Sequence, residues 1–302
     1  MARAVRFDRY GDVDVLNVVE VPDPVPGPGR VVVEVVAAAI NPGESKIREG
    51  LLHDYFPATF PSGEGSDFAG RVAAVGDSGV GGLDIGAEVI GFTDERASHA
   101  THVVVPFEQL TPKPAELSWE AAGSLYVAGT TAFAAVRAVS AGPGDVVAVS
   151  GAAGGVGSIA VQLLRERGAT VIAIAGPANH DRLRGYGATP VAYGDGLAER
   201  LPALDAFIDT HGDGYVELAL RLGVEPERID TIADFAAVEK YQVRGDGNAA
   251  GGTIDVVAAL ADLAAAGTIE IPIVAVYPLD LVRDAYRDLE HGHTPGKIVL
   301  RP

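Results

Sequence analysis

Apolar and polar positions fall into three textures along the chain. In residues 30–40, Val31, Val33 and Val35 alternate with Val32, Glu34 and Val36. A period of two is that of a strand. Similar short extended runs occupy residues 68–75, 88–92 and 101–106, separated by Pro and Gly clusters at 22–29, 79–82 and 112–114. Such punctuation marks turns. Residues 1 to about 115 are therefore expected to form a compact, mostly β domain.

The period changes at Ser118. Residues 118–140 are alanine-rich with a helical pattern, stopped by Gly142-Pro143-Gly144. Residues 146–149 are wholly apolar, which suits a strand buried on both faces. A glycine cluster follows, and then Val156, Ile159, Ala160, Leu163 and Leu164 repeat at helical spacing up to Gly168, a C-cap position. Strands are expected at 170–175, 190–193, 206–210 and 228–232, with helices up to Tyr186 and over 215–222. Strands alternating with helices imply a parallel sheet with right-handed crossovers. Residues 253–266 predict a further helix. Leu281, Val282, Ala285, Tyr286 and Leu289 form another helical face, and residues 297–300 a last short strand.

Composition narrows the function classes. Of 302 residues, 48% are hydrophobic and 21% charged, which excludes a disordered chain and suits about two domains. The net charge of −18 repels phosphate backbones and anionic lipid, so neither nucleic acid nor a membrane surface is an expected partner. Cysteine is absent, which removes disulfides, thiolate nucleophiles and Cys-based metal sites. Residues 1–10 lack the apolar core of a signal peptide. Residues 146–164 carry no charge, yet Gly151, Gly154, Gly155 and Gly157, with Ser150, Ser158 and Gln162, describe a strand, turn and helix, not a membrane span. A soluble cytoplasmic protein is expected.

The sharpest local signal is Ser150-Gly-Ala-Ala-Gly154-Gly155-Val156-Gly157, between a buried strand and an amphipathic helix. Glycines there permit a tight turn, a close approach of backbone to a pyrophosphate, and packing of helix on strand. In this βαβ context the turn predicts dinucleotide binding over a plain structural turn. Proteins that bind NAD place an acid about 20 residues on, at the end of the next strand. Here that strand runs into Ala175-Gly176-Pro177, and no acid appears before Asp181, while His180, Arg182 and Arg184 stand nearby. The missing carboxylate favours NADP(H).

Five ordered segments resemble the quinone-oxidoreductase, zeta-crystallin-like branch of the medium-chain dehydrogenase/reductase superfamily. They are Asn41-Pro-Gly-Glu-Ser-Lys-Ile-Arg-Glu-Gly50, Gly65-Ser-Asp67-Phe-Ala-Gly70, Gly129-Thr-Thr131-Ala, the glycine turn, and the tail from Leu289 through His293 and Lys297 to Leu300. The resemblance implies an α/β fold: a GroES-like β-barrel domain (1–115), a Rossmann doubly wound parallel sheet (116–266) that binds NADP(H), and a C-terminal return to the first domain (267–302). The substrate cleft would lie at their junction. It also implies a zinc-independent oxidoreductase, because Gly65-Ser66-Asp67 stands where zinc-dependent relatives carry Gly-His-Glu.

By the same resemblance, Asn41 and Thr131 lie near the nicotinamide, and Asn41 is the leading candidate for the reaction centre. Gly154, Gly155 and Val156 approach the pyrophosphate. Gly176, His180 and Tyr193 serve the adenosine end, and Lys297 also contacts the cofactor. The family's lysine after the second strand is absent, so His180 or Arg182 would have to hold the 2′-phosphate. The implied reaction is NADPH-dependent reduction of a quinone or of the C=C bond of an α,β-unsaturated carbonyl. Tyr55 is the candidate proton source and His53 the alternative, both in residues 51–60. Two other readings remain open at this level: a tailoring reductase for a bulky polyketide-like substrate, and a non-catalytic NADPH-binding sensor or structural protein. His99 and His102 have no third ligand at a telling spacing, so no metal site is expected. Relatives often dimerise through the last Rossmann strand. The corresponding residues 241–248 are short and rich in Gly, Asp and Asn, poor strand formers. A homodimer remains the expectation, on a weakened edge.

Overall fold

The computed structural model describes residues 1–76, 83–292 and 294–302. The turn expected at 79–82 and His293 lie outside them. The chain divides into two compact units: Met1–Val127 with Thr253–Ala265 and Ile273–Pro302, and Ala128–Gly252 with Ala266–Pro272. The first boundary thus falls at 127/128, where the sequence patterning placed it near 115, and helix Ile254–Ala265 joins the first unit.

The first unit is built from β1 (Ala2–Phe7), β2 (Asn17–Val21), β3 (Arg30–Ala39), β4 (Ser62–Gly63), β5 (Asp67–Val75), β6 (Glu88–Phe92), β7 (His102–Pro106) and β8 (Leu110–Pro112). β3 is its hub and pairs antiparallel with both β5 and β7. Val31, Val33 and Val35 enter a core with Phe68, Val72, Val89, Val103 and Val105, as their alternation predicts. Val32 is buried as well, so this part of β3 is covered on both faces and only Glu34 is exposed. A second core joins Val5, Phe7, Leu16 and Ile40 to Leu279, Tyr286, Ile298 and Leu300, which explains why the tail returns to this unit.

The helix expected over 118–140 is two helices, Trp119–Ala122 and Tyr126–Ala138. The break has a tertiary cause. The Gly123 carbonyl accepts from Ala39 N–H at 2.9 Å, and a Cβ on Gly123 would lie 2.5 Å from the Ala37 carbonyl oxygen. Strand β3 therefore approaches a point that only glycine leaves open.

In the second unit β9 (Val146–Ser150), β10 (Thr170–Ile174), β11 (Thr189–Val191), β12 (Ala206–Asp209) and β13 (Ile229–Thr231) form an all-parallel sheet in the order β11-β10-β9-β12-β13. This is a Rossmann-like arrangement with a change of direction at β9, where ligand sites form in such sheets. Beyond β13 a sixth strand is reduced to one parallel bridge, Asp230 to Arg244. The Gly- and Asp-rich residues 241–248 thus supply a bridge and no strand.

The chain ends on β14 (Ile273–Pro278) and β15 (Lys297–Arg301), which pair in parallel. β15 pairs antiparallel with β3 and closes the first unit. Among the described residues, no helix is long and apolar enough to cross a membrane.

Candidate active site

The glycine turn leaves β9 at Ser150 and starts helix Gly155–Glu166 with Gly154 as N-cap. Gly151 has φ +59°, in the left-handed region. A Cβ on Gly157 would lie 2.3 Å from the Gly151 carbonyl oxygen, so the helix packs directly on the turn only because no side chain intervenes. No side chain caps the helix. Its first N–H groups, at half-buried Gly155 and Val156, are thus available to an anion, and the helix dipole adds partial positive charge there.

Buried side chains fix the ends of the neighbouring strands. Asp209, fully buried, accepts from Ser150 Oγ (2.5 Å), His211 N–H and Gly212 N–H (3.0 Å each), and from Thr231 Oγ1 (2.9 Å). One carboxylate thereby ties together the ends of β9, β12 and β13. Motif reading misses this set, because the three residues stand far apart in sequence and each looks ordinary alone.

At the end of β10 the residues expected at the adenosine end converge. A Cβ on Gly176 would meet the Tyr193 ring at 3.4 Å, so the exposed tyrosine lies over the glycine. His180 Nε2 lies 3.1 Å from the Ala175 carbonyl oxygen. Arg182 donates from Nη2 to the Ala153 carbonyl at 3.0 Å, which holds its guanidinium against the glycine turn. Asp181, the nearest acid in sequence, is fully exposed and paired with Arg184 at 2.6 Å. Thr131 is buried in helix Tyr126–Ala138, and its neighbour Thr130 accepts from Asn248 Nδ2 at 2.7 Å.

In the first unit Asn41 precedes helix Pro42–Arg48 and is 3% exposed. Glu44, three residues on, accepts from the Asn41 backbone N–H at 2.7 Å, half of a capping box. Asn41 Nδ2 donates to Asp67 Oδ2 (2.7 Å) and Glu44 Oε1 (3.1 Å), while Asn41 Oδ1 accepts from Lys297 Nζ (2.5 Å). Both amide hydrogens of Asn41, the candidate for the reaction centre, are therefore engaged, and two carboxylates flank the position. Lys297 is equally committed, with a second bond to the Ile40 carbonyl at 3.1 Å. Tyr286 donates to Glu44 at 2.9 Å. Arg48, fully buried, holds Glu290 at 2.6 Å and lies 5.0 Å from the centre of the Tyr286 ring.

Burial dominates the electrostatics of this network. It pushes Asp67 up to about 6, against the opposing pull of Lys297 and the Asn41 hydrogen bond. It raises Glu64 well above the carboxylate range, reinforced by Glu44, and raises the Tyr286 phenol. It lowers Lys297, which Asp67 and Glu44 counteract. The sequence contains a clue to Glu44, the Asn-x-x-Glu spacing, but none to the partners that return from residue 286 onward.

His99 is buried, with Nε2 3.1 Å from the Ala39 carbonyl oxygen, and burial lowers its pKa. His102 pairs with Thr101 at 3.1 Å. Among the described residues no group of three or more His, Cys, Asp or Glu could hold a metal ion.

Tyr55 is 70% exposed on the turn after helix Pro42–Arg48. The structure joins His53 to a different tyrosine: Tyr10 OH and His53 Nδ1 are 2.7 Å apart.

An uncapped glycine-rich helix start at the switch point of a parallel sheet fits a dinucleotide phosphate. With a GroES-like unit in the same chain, it defines an oxidoreductase of the kind that binds a nicotinamide dinucleotide. Residues 27–115 match the family described as "Alcohol dehydrogenase GroES-like domain", and residues 186–300 the family described as "Zinc-binding dehydrogenase". A 2-methylene-furan-3-one reductase from Solanum lycopersicum is 30% identical over 99% of this chain and 79% of its own length. A chloroplast envelope quinone oxidoreductase homolog from Arabidopsis thaliana is 27% identical over 100% of this chain and 99% of its own. The solved structure of the quinone oxidoreductase from Coxiella burnetii superposes with a TM-score of 0.90 at 29% identity, covering 100% of this chain and 99% of that one. The chain belongs to the quinone oxidoreductase branch of the medium-chain dehydrogenase/reductase superfamily.

Proposed function

We propose that the protein is an NADPH-dependent, zinc-independent reductase of quinones or of the C=C bond of α,β-unsaturated carbonyls. The observation that carries the cofactor choice is the end of β10. No carboxylate of strand β10 or of residues 175–180 stands there to repel a 2′-phosphate, Asp181 is turned into an exposed pair with Arg184, Tyr193 lies over Gly176, His180 lies against the Ala175 carbonyl, and Arg182 is held on the glycine turn at Ala153. The bound dinucleotide supplies the hydride. Gly155 and Val156 offer backbone N–H groups to its diphosphate, and Arg182, anchored on the turn, offers positive charge to the 2′-phosphate. Thr131, Asn41 and Lys297 stay proposed for the nicotinamide end. For Asn41 and Lys297 the contribution is to shape the site through their shared buried network.

Zinc independence rests on the ligand positions. The chain has no cysteine. Asp67, in the segment where zinc-dependent relatives carry Gly-His-Glu, accepts from the Val127 N–H at 2.8 Å and from Asn41 at 2.7 Å, a structural use of both oxygens.

The deciding experiment is titration with both cofactors, followed by turnover. NADPH is expected to bind at least roughly tenfold tighter than NADH, about 1.4 kcal/mol. Arg182→Ala should remove most of that preference. NADPH oxidation with 9,10-phenanthrenequinone or an enone should persist after EDTA treatment. Equal dissociation constants for the two cofactors would overturn the NADPH assignment. Activity lost to EDTA and restored by zinc would overturn zinc independence.

A further inference from the structure

One face of the β1–β2 hairpin carries side chains too small to fill it. Ala2, Ala4 and Arg6 alternate along β1 and so share one side of the strand. In the antiparallel register Ala2 stands opposite Val21, Ala4 opposite Val19 and Arg6 opposite Asn17. On the other edge of β1, Arg6 pairs with Gly63 of β4. Residues directly opposite one another share a face, so this face is floored by two alanines and a glycine. Val5 and Phe7 fill the core on the reverse side. A cavity of about 360 Å³ results, bordered by Ala2, Ala4 and Arg6 together with Val21, Pro22, Pro24 and part of β7. That volume falls in the roughly 300–1,000 Å³ range of small-molecule sites.

Charge selects the occupant. Three ionisable side chains border the cavity: Arg6, Glu95 and His102. Glu95 is held by Arg30 at 2.7 Å, and His102 Nδ1 meets Thr101 at 3.1 Å. The Arg6 side chain has no hydrogen bond and no ion pair among the described residues. Acids outnumber lysines and arginines 41 to 23 in this chain, and Arg3, Arg30, Arg48, Arg71, Arg287 and Arg301 of the same unit each hold a carboxylate. Arg6 is half-buried and holds none; Asp8, two residues on, is exposed and borders a neighbouring cleft. The guanidinium lies over Gly63, where a Cβ would come 3.0 Å from Arg6 Nη1 and 2.1 Å from the Arg96 carbonyl oxygen. Glycine there leaves the space the arginine uses.

A guanidinium with unengaged N–H groups matches a carboxylate through two parallel hydrogen bonds. The alanine floor and the proline wall match an unbranched apolar chain. From Ala2 to Arg6 the strand spans about 13 Å at ~3.3 Å per residue, so the trough is long and narrow. We propose that it binds a medium-chain alkyl carboxylate, with the carboxylate on Arg6 and the chain running along Ala4 and Ala2 towards Pro22 and Pro24. The site lies wholly within the first unit. Its occupation needs neither cofactor nor turnover, so it stands apart from the reductase reading.

The test is calorimetric titration of the full chain, without cofactor, with sodium octanoate, sodium butyrate and 1-octanol. Octanoate should bind at least roughly tenfold tighter than butyrate, because each buried methylene adds to affinity. Arg6→Met keeps a straight apolar stem and should weaken octanoate about tenfold or more, the loss expected for a charged hydrogen bond, while 1-octanol binds no worse. Arg6→Lys should recover part of that loss, since it restores the charge without the fork. Val21→Asp sets a like charge on the wall and should also weaken octanoate. It leaves Arg6 in place and carries the test if Arg6→Met does not fold, which circular dichroism of each variant reports. Octanoate and butyrate binding alike would reveal an adventitious ion only and overturn the trough. No octanoate binding, or equal octanoate affinity in wild type and in folded Arg6→Met, would overturn the proposal outright.

Discussion

Lys297 Nζ donates to Asn41 Oδ1 at 2.5 Å, across 256 positions of sequence. The bond joins the last strand to the turn after β3 and completes a buried set in which Asp67 and Glu44 take the hydrogens of the same amide. Removing one partner of a buried charged set leaves the other charge uncompensated, a cost of about 3–5 kcal/mol. Lys297→Met should therefore lower stability by about that amount, read from denaturant midpoints. Adding Asp67→Asn should recover part of the loss, because the stranded carboxylate is gone. Strictly additive losses in the double variant would show that the lysine and the carboxylate do not act on each other.

Two glycines of the turn should behave differently. At Gly157 a Cβ falls 2.3 Å from a backbone oxygen, which no side-chain adjustment relieves; at Gly154 the same oxygen lies 3.3 Å away. Gly157→Ala should reduce NADPH affinity by at least about tenfold, or 1.4 kcal/mol. Gly154→Ala should stay within a few-fold of wild type. Fluorescence titration of the two purified variants compares them directly, and the reverse order would contradict the packing described for the turn.

Asp230 sets a pH dependence. It is fully buried, Oδ1 accepts from Asp246 N–H at 2.7 Å, and Oδ2 has no hydrogen-bond partner. Burial, helped by the charges of Asp246 and Asp209, pushes its pKa up from 3.8 to about 7. Between those values the folded protein holds more proton than the unfolded chain. Stability from this group is therefore full below 3.8 and falls as pH rises towards 7, by about 4 kcal/mol in all. Asp230→Asn removes the titration, so it should stabilise the protein more at about pH 8 than at about pH 4.5. Equal effects at both pH values would show that Asp230 is ionised in the folded state throughout.

The far edge of the parallel sheet bears on assembly. β13 has three residues, and beyond it, among the described residues, only Arg244 bridges to Asp230, with Gly245 and Gly247 close behind. A short edge interrupted by glycine resists pairing with another chain. The homodimer expected from the resemblance should therefore be weak: light scattering at high concentration should give about twice the 31.0 kDa of one chain, falling towards that mass on dilution. A mass near 31.0 kDa at every concentration would show that the weakened edge has abolished the interface.

Local rules made much of the second unit legible. The buried run of β9 and the glycine spacing each depend on neighbours a few positions away, so pattern alone locates the strand, the turn and the helix. Contacts at a distance were not legible. The break at Gly123 follows from the approach of β3, and nothing in residues 118–140 announces it. β14 was missed because its pairing partner is β15, some twenty residues later, and prolines stand at 272 and 278. Asn41 was singled out, but the commitment of its side chain depends on Asp67 and Lys297. His53 was noted, but Tyr10, 43 positions earlier, decides how its ring is held.

The position of β15 also sets an order of events during synthesis. The first unit needs residues 273–302 to fill its second core and cover β3, so its opening 127 residues cannot close while the rest of the chain is still being made. Residues 128–252 need only 266–272 to complete the second unit. At translation speeds of about 5–20 residues per second, β3 and the turn at Asn41 wait on the order of ten to fifty seconds for Lys297. For that interval the part of the chain made first is the part with unpaired strands and unsatisfied carboxylates, and the later-made sheet is the one that can settle before it.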